Sequence, residues 1–127
     1  MNTASHDEHE AFWQEAAAGR LLLGRCIDTG KAFFYPRDHS PFTGGRTDTI
    51  TASGRGMVYT HSIAYRAKEP YCIAYIQLEE GPILMSNILD NDLAGLEAIR
   101  IGDPVMVVFE PDASGRISPF FRRLKAA

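Results

Sequence analysis

Cys26-Ile27-Asp28-Thr29 and Ser40-Pro41-Phe42-Thr43 are each spaced as a C-x-x-C metal knuckle would be, yet only the first of the four ligand positions holds a cysteine. Structural zinc takes four Cys or His donors in a tetrahedron, and neutral hydroxyls are poor substitutes. His39 could add one nitrogen, which with Cys26 makes half a site. The stretch therefore reads as a ribbon without metal, and Phe33, Phe34, Tyr35 and Phe42 are the apolar side chains expected to hold it by packing.

Other chemistry-bearing residues read as structural. Thr51-Ala52-Ser53-Gly54 and Asp112-Ala113-Ser114-Gly115 lack the form of a nucleophile elbow and suit a bulge and a turn. Cys72 lies within an apolar strand, where a thiol is an inert small hydrophobe. His6 and His9 with Glu10 have a metal-permissive spacing that more often marks a solvated helix face. Glu79 and Glu80 are adjacent on a strand, point to opposite faces and cannot form a dyad. Gly54-Arg55-Gly56 has neither the spacing nor the following helix of a phosphate loop, so it predicts a strand bulge from which Arg55 reaches outward. His61 alternates with Tyr59, Ile63 and Tyr65, and a metabolic enzyme with His61 as general base is the third-ranked reading, behind a structural role.

The elements that must position these residues fit in one small globular protein. A chain of 127 residues, 45% hydrophobic and 23% charged, buries roughly two-thirds of its unfolded surface and needs no staples. No apolar run approaches the ~20 residues of a membrane helix. The N-terminal segment MNTASHDEHEAFW lacks the basic and apolar regions of a signal peptide, so a cytoplasmic location is expected, with Cys26 and Cys72 as free thiols. A net charge of −3 with scattered Lys and Arg weighs against nucleic acid, whose binders neutralise phosphates with a positive field.

Ser5 and Glu8 form a capping box for a first helix that Gly19 stops, and Phe12, Trp13, Ala16 and Ala17 line its apolar side. Arg20 to Cys26 and Lys31 to Tyr35 are short strands joined by Asp28-Thr29-Gly30. Longer strands follow: Thr47 to Ser53, Gly56 to Arg66, Tyr71 to Glu79, Pro82 to Leu89, Asp103 to Glu110 and Arg116 to Arg122, with a bend at Gly54 and Gly56 and hairpin turns at Glu80-Gly81 and Asp112 to Gly115. A short helix at 91–97 carries an Asn or Asp cap. With the first two segments counted as one long strand bent at Gly54 and Gly56, three strands, a short helix and two strands is the order of a five-stranded OB barrel.

The succession Phe12-Trp13, Gly19-Arg20-Leu21, Cys26, Pro36-Arg37, Ser53 to Tyr59, Ala74 to Pro82, Ile101 to Val105 and Pro119-Phe120-Phe121 resembles the DUF35 family across nearly the whole chain. The resemblance implies a mainly β fold: an N-terminal helix plus a degenerate rubredoxin-like ribbon over 1–45, then an OB-fold barrel over 46–127. It implies no enzyme of its own, but an accessory subunit that docks on a thiolase-like, hydratase or aldolase-type acyl-CoA enzyme and helps bind or guide the acyl-CoA. CoA carries a diphosphate and a 3'-phosphate, so Arg37, Arg55, Arg66 and Lys68 are the candidate phosphate contacts. Phe12, Trp13, Phe33, Phe34 and Phe42 are the candidate docking residues. The family ribbon has four cysteines; Cys26, Thr29, Ser40 and Thr43 stand at those positions, so no cofactor metal is expected. The alternative is a single-stranded nucleic-acid binder with Tyr59, Tyr65, Tyr71 and Tyr75 as stacking platforms.

Overall fold

The computed structural model describes residues 9–124. Ser5, His6 and Glu8 lie outside the described residues, and with them the expected capping box and the His6–His9 pair. Helix α1 (Glu10–Ala17) begins at His9 without a side-chain cap and carries Glu10 in its first turn, where the helix dipole favours an acid. Phe12 and Ala16, one turn apart, form its buried face.

Strands β1 (Leu22–Cys26), β2 (Ala32–Phe33) and β3 (Thr47–Thr51) form an antiparallel sheet with β1 in the centre. The second strand is shorter than expected, two residues rather than five. Gly24 faces Phe33 across β1 and β2, and a side chain at Gly24 would run into the Phe33 ring, so the glycine lets the aromatic lie flat on the strand. The segment Thr47 to Ser53, read from sequence as the first of the barrel-side strands, pairs with β1 from Leu22↔Thr51 to Cys26↔Thr47. The edge of β1 away from β2 also has backbone groups to satisfy, and β3 satisfies them.

The chain crosses into the barrel at Ser53 and Gly54. Strands β4 (Arg55–Ala64), β5 (Tyr71–Leu78) and β6 (Ile83–Ile88), helix α2 (Leu93–Glu97), and strands β7 (Pro104–Pro111) and β8 (Ile117–Arg123) follow. The five strands close in the order β4-β5-β6-β8-β7, antiparallel throughout except where β6 meets β8 at Ile88↔Phe121. This is the expected mainly β architecture with an OB-type barrel. Asp92 caps α2 by accepting the Gly95 N–H at 2.8 Å. The register shift in β4 lies between Val58 and Thr60 rather than at Gly54 and Gly56. It puts Tyr59 on the outside, while His61 faces Ala74 and the interior, so the two do not share a side as strict alternation predicted.

One core runs through the molecule. Cys72, Ala74, Ile76 and Leu78 of β5 point into the barrel, and the same cluster continues through Phe121 to Leu21, Leu22, Leu23 and Phe12. Phe12 is wholly buried, with edge-on contacts to Trp13 (4.9 Å), Tyr35 (5.0 Å) and Phe34 (5.3 Å). Phe12→Ala is expected to destabilise the protein by about 3–5 kcal/mol, read as a shifted urea midpoint.

Asp112 organises the β7–β8 turn: its carboxylate accepts the Ser114 N–H (2.9 Å), the Ser114 hydroxyl (2.6 Å), the Arg116 N–H (3.2 Å) and the Ser118 hydroxyl (2.8 Å). The Ser114 and Ser118 hydroxyls lower its pKa from 3.8 to about 2. A folded-state pKa below the unfolded one makes the stabilisation complete above pH 3.8 and removes it as the pH falls through about 2. Asp112→Asn should therefore lose stability at neutral pH and show a shallower further loss between those two values, measured by urea unfolding at stepped pH.

Candidate functional site

The two knuckles share one backbone plan. Cys26 N–H bonds to Lys31 O (2.8 Å) and Gly30 N–H to Cys26 O (2.7 Å); Ser40 N–H bonds to Gly45 O (2.9 Å) and Gly44 N–H to Ser40 O (2.8 Å). Gly30 and Gly44 take the left-handed conformation that closes each turn, at φ +75° and +76°. The side chains at the ligand positions converge, but as hydroxyls around one thiol. Ser40 Oγ accepts the Phe42 and Thr43 N–H groups at 3.0 and 3.3 Å, Thr29 Oγ1 accepts Lys31 N–H at 3.2 Å, and Thr43 Oγ1 accepts Gly45 N–H at 3.1 Å and donates to Asp28 at 2.8 Å. Cys26 is fully enclosed, its sulfur 3.8 Å from Thr43 Oγ1. The Ser40 and then the Thr29 hydroxyl favour the thiolate enough to outweigh burial and lower its pKa to about 7.

Between this ribbon and the barrel runs an open groove of about 820 Å³. Lys31, Phe42 and Ile50 line it from the ribbon side, and Glu80, Pro82 and Ile83 from the β5–β6 turn. Lys31 Nζ lies 5.5 Å from the centre of the Phe42 ring, a cation over an aromatic face. Arg25, also in the wall, makes a two-pronged bond to Asp48. Across Gly81 lies a second depression of about 490 Å³, where Arg55 stands beside Met57, Leu78, Pro104 and Leu124. The two hollows offer apolar walls with charges of both signs at their margins, Lys31 and Glu80 at the first and Arg55 and Glu79 at the second.

The four basic residues singled out from sequence are all exposed, but the structure does not gather them. Arg55 lines the depression beside Gly81, Arg66 lies by Tyr65 and Tyr71, and Lys68 lies by Asp90 and Asp92. Arg37 is in the ribbon, its carbonyl accepting the Thr47 hydroxyl. Arg25 and Lys31, not singled out as site residues from sequence, are the cations the fold sets in the groove with Phe42; the β5–β6 turn that forms the facing wall lies about 50 positions after Lys31, and no local pattern joins the two.

The five aromatic docking candidates separate by depth. Phe12 and Phe33 are core side chains and present no surface. Trp13 and Phe34 are half-buried, and Arg116 sits 3.5 Å above the Trp13 ring. Phe42 is open to solvent on the rim of the groove. The earlier nucleophile candidates are occupied structurally: the Ser53 hydroxyl accepts Arg55 N–H at 3.1 Å, Glu80 accepts Ser53 N–H at 2.8 Å, and burial raises the pKa of the enclosed Cys72 thiol. Among the described residues, no helix is long and apolar enough to cross a membrane.

The family model for the C-terminal OB-fold domain of ChsH2 matches residues 49–110, and that for the ChsH2 rubredoxin-like zinc ribbon matches 13–40. A DUF35 domain-containing scaffold protein of Methanocaldococcus jannaschii is 34% identical over 106 residues, which is 76% of this chain and 73% of that protein. This chain belongs to the DUF35 family. A second relative of this DUF35 protein, a probable enoyl-CoA hydratase alpha subunit of Thermomonospora curvata, is 33% identical over 104 residues, or 76% of this chain and 32% of the longer relative. Among solved structures, a chain of the Ltp2-ChsH2(DUF35) aldolase aligns with a TM-score of 0.77 at 27% identity, covering 96% of this chain and 98% of that one.

The zinc that the ribbon model names does not fit the residues present here. One thiol and three neutral hydroxyls make a poor donor set, and among the described residues no three His, Cys, Asp or Glu side chains cluster for a metal. Elemental analysis of the purified DUF35 protein should give zinc far below one per chain, and a strong chelator should leave its thermal midpoint unchanged. One zinc per chain, or melting in chelator, would contradict this assignment.

Proposed function

We propose that this protein is a non-catalytic accessory subunit that docks on a thiolase-like or related acyl-CoA enzyme and helps hold the acyl-CoA. The observation that carries the reading is its full-length likeness to the DUF35 component of an aldolase assembly, at a TM-score of 0.77. The name of the Thermomonospora curvata relative, a hydratase subunit, points to the same class of partner. The absence of a catalytic role is supported by the chemistry of the chain: Ser53, Ser114, Glu80 and Asp112 are engaged in turns and crossings, and Cys26 and Cys72 are enclosed. Phe42 on the groove rim, with Trp13 and Phe34 half-exposed, is the docking surface in this reading, supported from beneath by Phe12 and Phe33.

For the CoA ester, Arg55 is the favoured contact among Arg37, Arg55, Arg66 and Lys68, because its depression pairs a guanidinium with the apolar side chains of Met57 and Leu78. A guanidinium can meet a phosphate with two parallel hydrogen bonds while the apolar wall takes the uncharged part of the ligand. A second reading, single-stranded nucleic acid, draws on the exposure of Tyr59, Tyr65, Tyr71 and Tyr75. The net charge of −3 disfavours it.

The test uses the complex that this chain forms with the acyl-CoA enzyme that co-purifies from its native cells. Arg55→Glu should weaken CoA-ester binding by roughly tenfold or more, as loss of a charged contact does. Unchanged affinity after charge reversal at all four basic positions would remove the CoA contact from the reading. Tight, salt-sensitive binding of a generic oligonucleotide by the isolated chain would replace the reading altogether.

A further inference from the structure

Strand β3 has one side without a partner. In its pairing with β1, Ala52 N–H bonds to Leu21 O and Ile27 N–H to Arg46 O, so Asp48 and Ile50 also bond inward, while Thr47, Thr49 and Thr51 turn their N–H and C=O groups away from the sheet. Among the described residues nothing bonds to these outward groups. Ser53, next in the same alternation, is already taken: its N–H bonds to the Glu80 carboxylate of the β5–β6 turn at 2.8 Å. The free edge therefore runs from Thr47 to Thr51 and stops at that turn.

We propose that this edge takes up an extended segment of the acyl-CoA enzyme as a further strand of the ribbon sheet; the inference rests on the accessory reading above and supplies its mode of docking. A row of N–H and C=O groups in strand register is complementary to another strand. Edges that stay open in solution are blunted by lysine, proline, a bulge or shortness. The opposite edge of this sheet, β2, has only two residues, and the barrel is closed. Strand β3 has five, Thr-Asp-Thr-Ile-Thr, an ordinary strand length, with no lysine, no proline and no register shift. Its one charged side chain, Asp48, is held by both prongs of Arg25. The edge is left unguarded.

The surroundings of the edge select the occupant. Ile50 of β3 and Pro82 and Ile83 of the turn line the same groove as Phe42, which the accessory reading already sets on the docking surface. Alternate side chains of an added strand point to one side, and those on the groove side meet Ile50, Pro82 and Ile83, so apolar residues at every second position match it. A second copy is a poorer fit. It brings the same edge beside the same turn, and a two-fold contact needs a self-complementary surface, which two facing grooves are not. A single extended segment, free on both sides, enters where a packed sheet does not.

Titration of the full chain with the acyl-CoA enzyme that co-purifies from its native cells tests this. Thr49→Pro removes one outward N–H and no bond to β1, and proline is tolerated on an edge strand where the N–H faces out. The thermal midpoint of the variant alone should stay near the parent's, while its affinity for the enzyme falls roughly tenfold or more. Thr49→Val, which changes the side chain and keeps the N–H, should bind as the parent does. The unaltered chain gives a second readout: the Thr49 and Thr51 amides should exchange readily with solvent in the free chain and roughly tenfold or more slowly in the complex. Binding indifferent to the proline, or amides that exchange as fast in the complex as outside it, would overturn the proposal and leave the accessory reading standing. A chain to which no acyl-CoA enzyme binds would overturn both. Self-association of the isolated chain that Thr49→Pro abolishes would overturn it too, and make a second copy the occupant of the edge.

Discussion

A ribbon with a single thiolate position must be held by something other than metal, and here that constraint falls on Phe12. Its ring fills the junction of helix, ribbon and barrel, touching Phe34 and Tyr35 on one side and belonging on the other to the cluster that ends at Phe121. Helix α1 packs on both β1 and β8, so ribbon and barrel meet through the helix as well as through the chain crossing at Gly54. The walls of the groove beneath Phe42 belong to one packed body. Packed interiors deform little, which keeps Lys31 and the β5–β6 turn at a constant separation.

Local chemistry was legible in the sequence wherever one turn or one cap decides the outcome. The Asp112 turn, the Gly81 hairpin, the Asp92 cap and the succession of strands and helix along the barrel segment follow from residues close to one another. What escaped was decided at long range. Nothing within Thr47–Thr51 says that it will pair with β1, since that depends on the free edge of a strand some 25 residues earlier in the chain. A bulge of one residue between Val58 and Thr60 reverses the facing of His61. Phe12 and Trp13 are neighbours of similar character, and only packing sends one to the centre and leaves the other under Arg116.

The candidate site was less legible than the fold for the same reason. Charged residues can be counted in a sequence, but their company cannot, and Lys68 stands among acids while Arg55 stands among apolar side chains. Tyr71 to Leu78 reads YCIAYIQL: Cys72, Ala74, Ile76 and Leu78 form an apolar alternation that fills the barrel, while Tyr71, Ile73, Tyr75 and Gln77 form a mixed one that faces out.

The hydroxyl-lined knuckles carry a consequence for oxidising conditions. A ribbon closed by four thiolates can lose its ligands to disulfide formation, and its fold with them. In this ribbon the sequence places a single sulfur at the four positions, and the chain's other cysteine is sealed inside the barrel. No internal disulfide can form between the knuckles, and threonine and serine do not climb the sulfur oxidation ladder. The shape of a metal module thus persists in a form that no disulfide between its knuckles can break.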